Sequence, residues 1–201
     1  NNLVNRNWHS GYLVSMDIAD FNSVNHRVGT KKGDCILQGI YKLLEKEASK
    51  NTFIAHEGQD IFALCFLESS KEKVIAAINR LTEGIKRLPQ DVIQENAMLL
   101  RPFFGIYCLD DLATKDYKAV QKHNNNFQAV SLASTGLPNI PFSREEMLEM
   151  FDLALVLAVE ARRFLKQHSD LATKINYAFF DDDNRAAAKE KKELVDGIDD
   201  A

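Results

Sequence analysis

At 201 residues the chain can bury one sizeable core, and a single domain of about 170 residues plus an appendage is the natural expectation. A net charge of −4 rules out a broad nucleic-acid-binding face, so no nucleic-acid partner is expected. The longest apolar stretches, Ile61–Leu67 and Leu153–Val159, are too short to span a bilayer, and no membrane contact is expected from this piece.

Tyr12–Met16 is a short apolar strand pattern that ends on a carboxylate, Asp17. Residues 20–33 are polar and irregular, with Asn25 and Gly29 as turn formers. From Asp34 onward Ile36, Leu37, Ile40, Leu43 and Leu44 recur at helical spacing, and Asp34 stands where a carboxylate would cap that helix. Two apolar runs then flank the polar turn around Gly58, which predicts a β-hairpin over Thr52–Leu67 with Asp60 at its tip.

Val74, Ile75, Ile78, Leu81 and Ile85 predict a helix over Ser70–Leu88, and Leu99–Leu109 reads as a strand whose start, at Pro102, lies at an edge. Residues 110–143 are turn-rich, with room for one strand at Phe127–Leu132. Ser143 and Glu146 form a capping box that opens a helix running to about Gln167. A last strand, Ile175–Phe180, precedes a charged helix, Asn184–Ala201, that reads as a linker.

This order predicts an α/β (α+β) fold: a palm-like, central, mixed but mostly antiparallel sheet of about five strands flanked by helices. Residues 1–180 form the domain and 181–201 the charged helical linker. Such a sheet would place Asp17 and Asp60 side by side, and paired carboxylates at adjacent strand ends are a usual means of holding a divalent metal against phosphates. Cys35, Cys65 and Cys108 each lie in an apolar stretch and read as buried free thiols of a reducing compartment. The chain opens on Asn1 rather than Met and reads as a fragment of something longer.

The run Met16-Asp17-Ile18-Ala19-Asp20-Phe21-Asn22-Ser23-Val24-Asn25, followed by Gly29 and by Gly33-Asp34-Cys35-Ile36-Leu37, resembles the GGDEF domain of diguanylate cyclases. That family's pattern runs D-x-D-x-F-K-x-x-N-D-x-x-G-H-x-x-G-D-x-x-L. Gly58-Gln59-Asp60-Ile61-Phe62 falls on the signature that names the family, Phe104-Gly105-Ile106 on a later strand, and Phe151-Asp152-Leu153-Ala154-Leu155 on a late helix. With Leu3-Val4-Asn5-Arg6 at the start, the resemblance covers residues 3–180.

In that family two GTP-loaded domains meet and condense two GTP into cyclic di-GMP. The resemblance implies that Asp17 and the Ile18 backbone carbonyl hold Mg2+, that Asn25 and Asp34 read the guanine edge, and that Gly58 and Arg163 lie against the nucleotide. Asp60 matches the first acidic position of the signature.

Other positions depart from the pattern. Ile61 replaces the second metal carboxylate and Gln59 a glycine; Asn22 and Val159 replace the two phosphate lysines. Ala19 replaces the second Asp of D-x-D, Thr30 a His, and the R-x-x-D product-inhibition motif expected at Ser49–Thr52 is absent. Losing one well-placed electrostatic group typically costs about 10²–10³ in rate, and here three are missing.

Asp60 is thus expected to be vestigial, and Mg2+ is expected only as a weak ligand. The expectation is an inactive or strongly impaired cytoplasmic bacterial module that binds GTP or another guanine nucleotide and can form homodimers. The segment Tyr177–Arg185 resembles the linker into an EAL phosphodiesterase domain, which names a covalently linked partner. Two alternatives stay open: a slow diguanylate cyclase with an atypical site, and a dimerisation scaffold with no nucleotide.

Overall fold

The first apolar run is buried along nearly its whole length because it lies mid-sheet with a neighbour on each side. The computed structural model describes residues 10–48, 51–94, 98–111, 144–168 and 175–180. In chain order the elements are β1 (Gly11–Ile18), α1 (Phe21–Val28), α2 (Thr30–Glu47), β2 (Thr52–Gly58), β3 (Ile61–Leu67) and α3 (Lys71–Ile93). They are followed by β4 (Pro102–Cys108), α4 (Arg144–Gln167) and β5 (Tyr177–Phe179). The sheet order is β2-β3-β1-β4-β5; every pairing is antiparallel except β4 with β5, which is parallel. The expected mixed five-stranded sheet flanked by helices is what forms.

Strand alternation sends successive residues of β1 to opposite faces. Val14, Met16 and Ile18 join Phe62, Leu64, Phe104 and Ile106 in a core covered by Ile36, Ile40 and Leu44 of α2 and Ile78, Leu81 and Ile85 of α3. Leu13 goes to the other face with Cys65 and Tyr107, beneath Ala154, Leu157 and Ala158 of α4. Each fully buried Leu, Ile or Phe contributes about 1.5–3 kcal/mol of transfer free energy, so these two layers decide the fold. The even face is covered by two helices and the odd face by α4, a division that later separates the core from the site.

Gly105 lets α4 come close. A Cβ there would run into the Ala158 carbonyl oxygen and the Arg162 amide nitrogen, so helix and strand backbones meet with no side chain between them.

Several boundaries differ from the sequence expectation. Residues 21–28 are helical: α1 buries only Phe21, too little apolar patterning to announce an amphipathic helix. Helix α2 begins at Thr30, with Gly29 (φ 86°) before it, so Asp34 lies inside the helix and is not its cap. Helix α3 does start behind Ser70, whose hydroxyl accepts from the Lys73 amide, but it runs through Pro89 to Ile93. Pro102 is the first residue of β4, a strand flanked by β1 and β5, and a strand's first position tolerates the missing N–H.

Cys65 is buried, and burial pushes its thiol up to about 12, whereas Cys35 is exposed rather than buried. Cys35 points outward because it follows Asp34 on the wet side of α2, one residue ahead of buried Ile36. Among the described residues no helix is long and apolar enough to cross a membrane. The expected strand 127–132 and the charged helix 184–201 lie outside the described residues, as does the Leu3–Arg6 motif.

Candidate functional site

The β1–β3 register ends with Met16 opposite Phe62, which leaves Asp17 and Ile18 of β1 beside the hairpin turn that carries Asp60. The contact is direct: the Ile18 amide donates to Asp60 Oδ2 at 3.0 Å. Sequence reasoning expected these two carboxylates to be neighbours, and the hairpin brings them to one end of the sheet.

The hairpin turn is held in an uncommon backbone shape. Gly58 has φ 122°, and Gln59 adopts φ 50°, the left-handed region that costs a side-chain-bearing residue roughly 1 kcal/mol. A bulge between His56 and Gly58 accommodates the extra residue. The His56 ring donates to the Gln59 carbonyl at 2.9 Å and stacks on Phe62 with centroids 4.6 Å apart. The turn therefore keeps its shape even with Gln at this position.

Ser15 and Asp17 share the odd face of β1 with Leu13, and that face carries α4. The helix buries Ala154, Leu157, Ala158, Ala161 and Leu165, and the same side presents Arg162 and, one turn later, Lys166. Lys166 Nζ donates to Asp17 Oδ2 at 2.8 Å, and Arg162 Nε lies 3.7 Å from the same oxygen. Arg162 Nη1 donates to Ser15 Oγ at 3.0 Å.

The cluster is nearly dry: Asp17 is 8% exposed and Arg162 6%. Burial lowers the Arg162 pKa from its ordinary value, while the nearby charges of Asp17 and Asp60 oppose that fall. Buried Asp17 and Arg162 are thus joined by Lys166 and Asp60 at the edge of the fold. Asp17 Oδ1 and Arg162 Nε are buried without a hydrogen-bond partner.

The donor set does not fit Mg2+. That ion demands six oxygens in near-ideal octahedral geometry, usually with more than one carboxylate or a phosphate. Here Oδ2 of Asp17 already serves an ammonium, Asp60 Oδ2 is engaged by the Ile18 amide, and Ile61 has no donor to offer across the strand gap. Asp17 Oδ1 is left buried without a hydrogen-bond partner. Lys166 and Arg162 already balance the charges of Asp17 and Asp60, so the site lacks the net negative charge that would draw in a divalent ion.

A second locus lies where α1 meets α2. Asn25 Oδ1 is buried and unpartnered over Gly33, where a Cβ would collide with it. Asp34 follows at once and is exposed. The structure thus brings Asn25 up against Gly33, the residue before Asp34. It places Arg163 elsewhere, on the exposed side of α4 in an ion pair with Glu160 at 2.7 Å. Gly58 has open space around it.

Sequence reasoning did not single out Ser15, Arg162 or Lys166. Their one sequence signal is the i, i+4 spacing of two cations in line with the apolar stripe of α4. A groove of about 360 Å³ between α2 and the hairpin, lined by Leu37, Tyr41, His56 and Phe62 among others, contains none of the site residues expected from sequence.

With this geometry in place the class is clear, and the chain belongs to the GGDEF-domain family. The family model described as diguanylate cyclase, GGDEF domain, matches residues 1–130. An EAL/GGDEF domain protein from M. capsulatus shares the fold at TM-score 0.52 and 14% identity, with 88% of each chain covered. The active GGEEF domain of a diguanylate cyclase from Vibrio cholerae aligns at TM-score 0.47 and 16% identity, over 85% of this chain and 82% of that one. The GGDEF domain of DgcB from Caulobacter crescentus, solved with c-di-GMP, aligns at TM-score 0.43 and 19% identity, over 48% and 56%. No curated protein matches the sequence.

Proposed function

We propose that this chain is a catalytically silent GGDEF domain acting as a regulatory module in bacterial cyclic di-GMP signalling. One observation carries the reading: Asp17, the carboxylate that a cyclase would give to its metal, is held by Lys166 and Arg162, while Ile61 stands at the signature position of the second carboxylate. A site built to offset triphosphate charge with metal would lose its largest catalytic term in this state.

Guanine recognition is a separate matter and survives in this proposal. Asn25 and the exposed Asp34 carboxylate, brought close by the Gly33 contact, offer an amide and an acceptor to the polar edge of the base. The module would report GTP, or another guanine nucleotide, to a covalently linked EAL-like domain, with homodimer formation as a further output. The cyclase alternative draws on Asp60, which remains in place against β1. The scaffold alternative needs no nucleotide at all.

Calorimetric titration with GTP separates these readings. The proposal expects saturable binding that is lost in Asn25→Ala and in Asp34→Ala. Absence of any heat of binding in the parent chain would favour the scaffold.

A further inference from the structure

The charge arrangement around Asp17 reaches beyond loss of activity. In a site emptied by substitution alone, Asp17 would be left as an uncompensated carboxylate, and a buried charge without a partner is strongly disfavoured. This chain provides the partner from its own helix: Lys166 sits at 2.8 Å from Oδ2, with Arg162 at 3.7 Å tied back to Ser15. Both cations come from α4, one turn apart, and the missing side chain at Gly105 lets that helix lie close enough to β4 for them to reach β1. The Lys166 side chain remains 37% exposed, so it closes the site from the solvent side, where an ion would enter.

We infer that the Lys166 ammonium takes the place of a divalent cation at Asp17, so that the site is closed to metal by a charge the fold supplies itself. The inference rests on the reading given above only for the location of the site; it makes a statement about metal, independent of nucleotide or turnover. Removing the ammonium while leaving the carboxylate should reopen the position, because the repulsion that excludes the ion is then reduced and Asp17 Oδ2 regains a free lone pair.

The test is a Mn2+ titration of the whole 201-residue chain without nucleotide, following free Mn2+ by electron paramagnetic resonance. The parent chain should show no saturable site, and Lys166→Met should gain one that binds about tenfold or more tightly than the parent's residual binding. Asp17→Asn in the Lys166→Met background should abolish it, and circular dichroism would verify that each variant is folded. Saturable sub-millimolar binding by the parent that is lost in Asp17→Asn would overturn the inference. So would failure of Lys166→Met to bind, since Lys166 would then not be what keeps the ion out. Neither outcome touches the question of cyclase activity, which is read from GTP turnover.

Discussion

Asp17→Ala is expected to destabilise the domain by about 3–5 kcal/mol, as removal of one partner from a buried ion pair does. The loss comes from Arg162 more than from the missing bond. Its side chain is only 7% exposed, its Nε already lacks a hydrogen-bond partner, and chiefly the Ser15 hydroxyl and the nearby charge of Asp60 would remain to offset it. Lys166, partly exposed, can turn to solvent and loses less. Urea unfolding measures the difference directly, with an unchanged m-value expected if only stability has changed. The double variant Asp17→Leu/Arg162→Leu should recover much of the loss, because it removes both charges and leaves apolar atoms in the layer. A loss below about 1 kcal/mol for Asp17→Ala would mean that Arg162 finds solvent easily and that the cluster is not a buried one.

Gly105→Ala is the second large effect. A single methyl group would overlap the Ala158 carbonyl oxygen and lie 2.5 Å from the Arg162 amide nitrogen and 2.8 Å from its Cβ. None of these is the far end of a flexible side chain, so α4 must lift from β4. Overpacking costs typically about 1–3 kcal/mol, and with backbone in the way the upper end or beyond is expected. At roughly 2–4 °C per kcal/mol for a chain of this size, the midpoint of thermal unfolding should fall by about 6–12 °C. The shift of α4 should also carry Arg162 and Lys166 away from Asp17, so the two variants should be less than additive when combined.

Much of the fold was legible in the sequence because its signals are local. The alternation and apolar runs of β1 and β3 and the turn between β2 and β3 could be read without tertiary knowledge, as could the periodic stripe of α3. Helix α1 was not legible: Asn22, Ser23, Asn25 and His26 are weak helix formers, and one buried residue, Phe21, gives no period. The end of α3 was hidden by Pro89, which argues for a stop that tertiary packing overrides, since Pro89 itself is buried in the helix.

The same division applies to the site. Asp17 and Asp60 are 43 positions apart, yet one hairpin and one antiparallel register suffice to bring them together. The Lys166–Asp17 contact spans 149 residues and depends on how closely α4 crosses the sheet, which only Gly105 and the small residues Ala158 and Ala161 permit. No spacing rule within α4 indicates what its cations will face. Arg163 occupies the position that the family pattern points to, but its neighbour Arg162 is the one turned inward.

On the function proposed above, this GGDEF domain has exchanged metal chemistry for an internal ion pair. The most direct measurement is incubation of the purified chain with GTP and Mg2+, followed by chromatographic detection of cyclic di-GMP. No product above a protein-free blank is expected over hours at micromolar protein. Robust turnover that disappears in Asp60→Ala would show instead that the domain is a working cyclase.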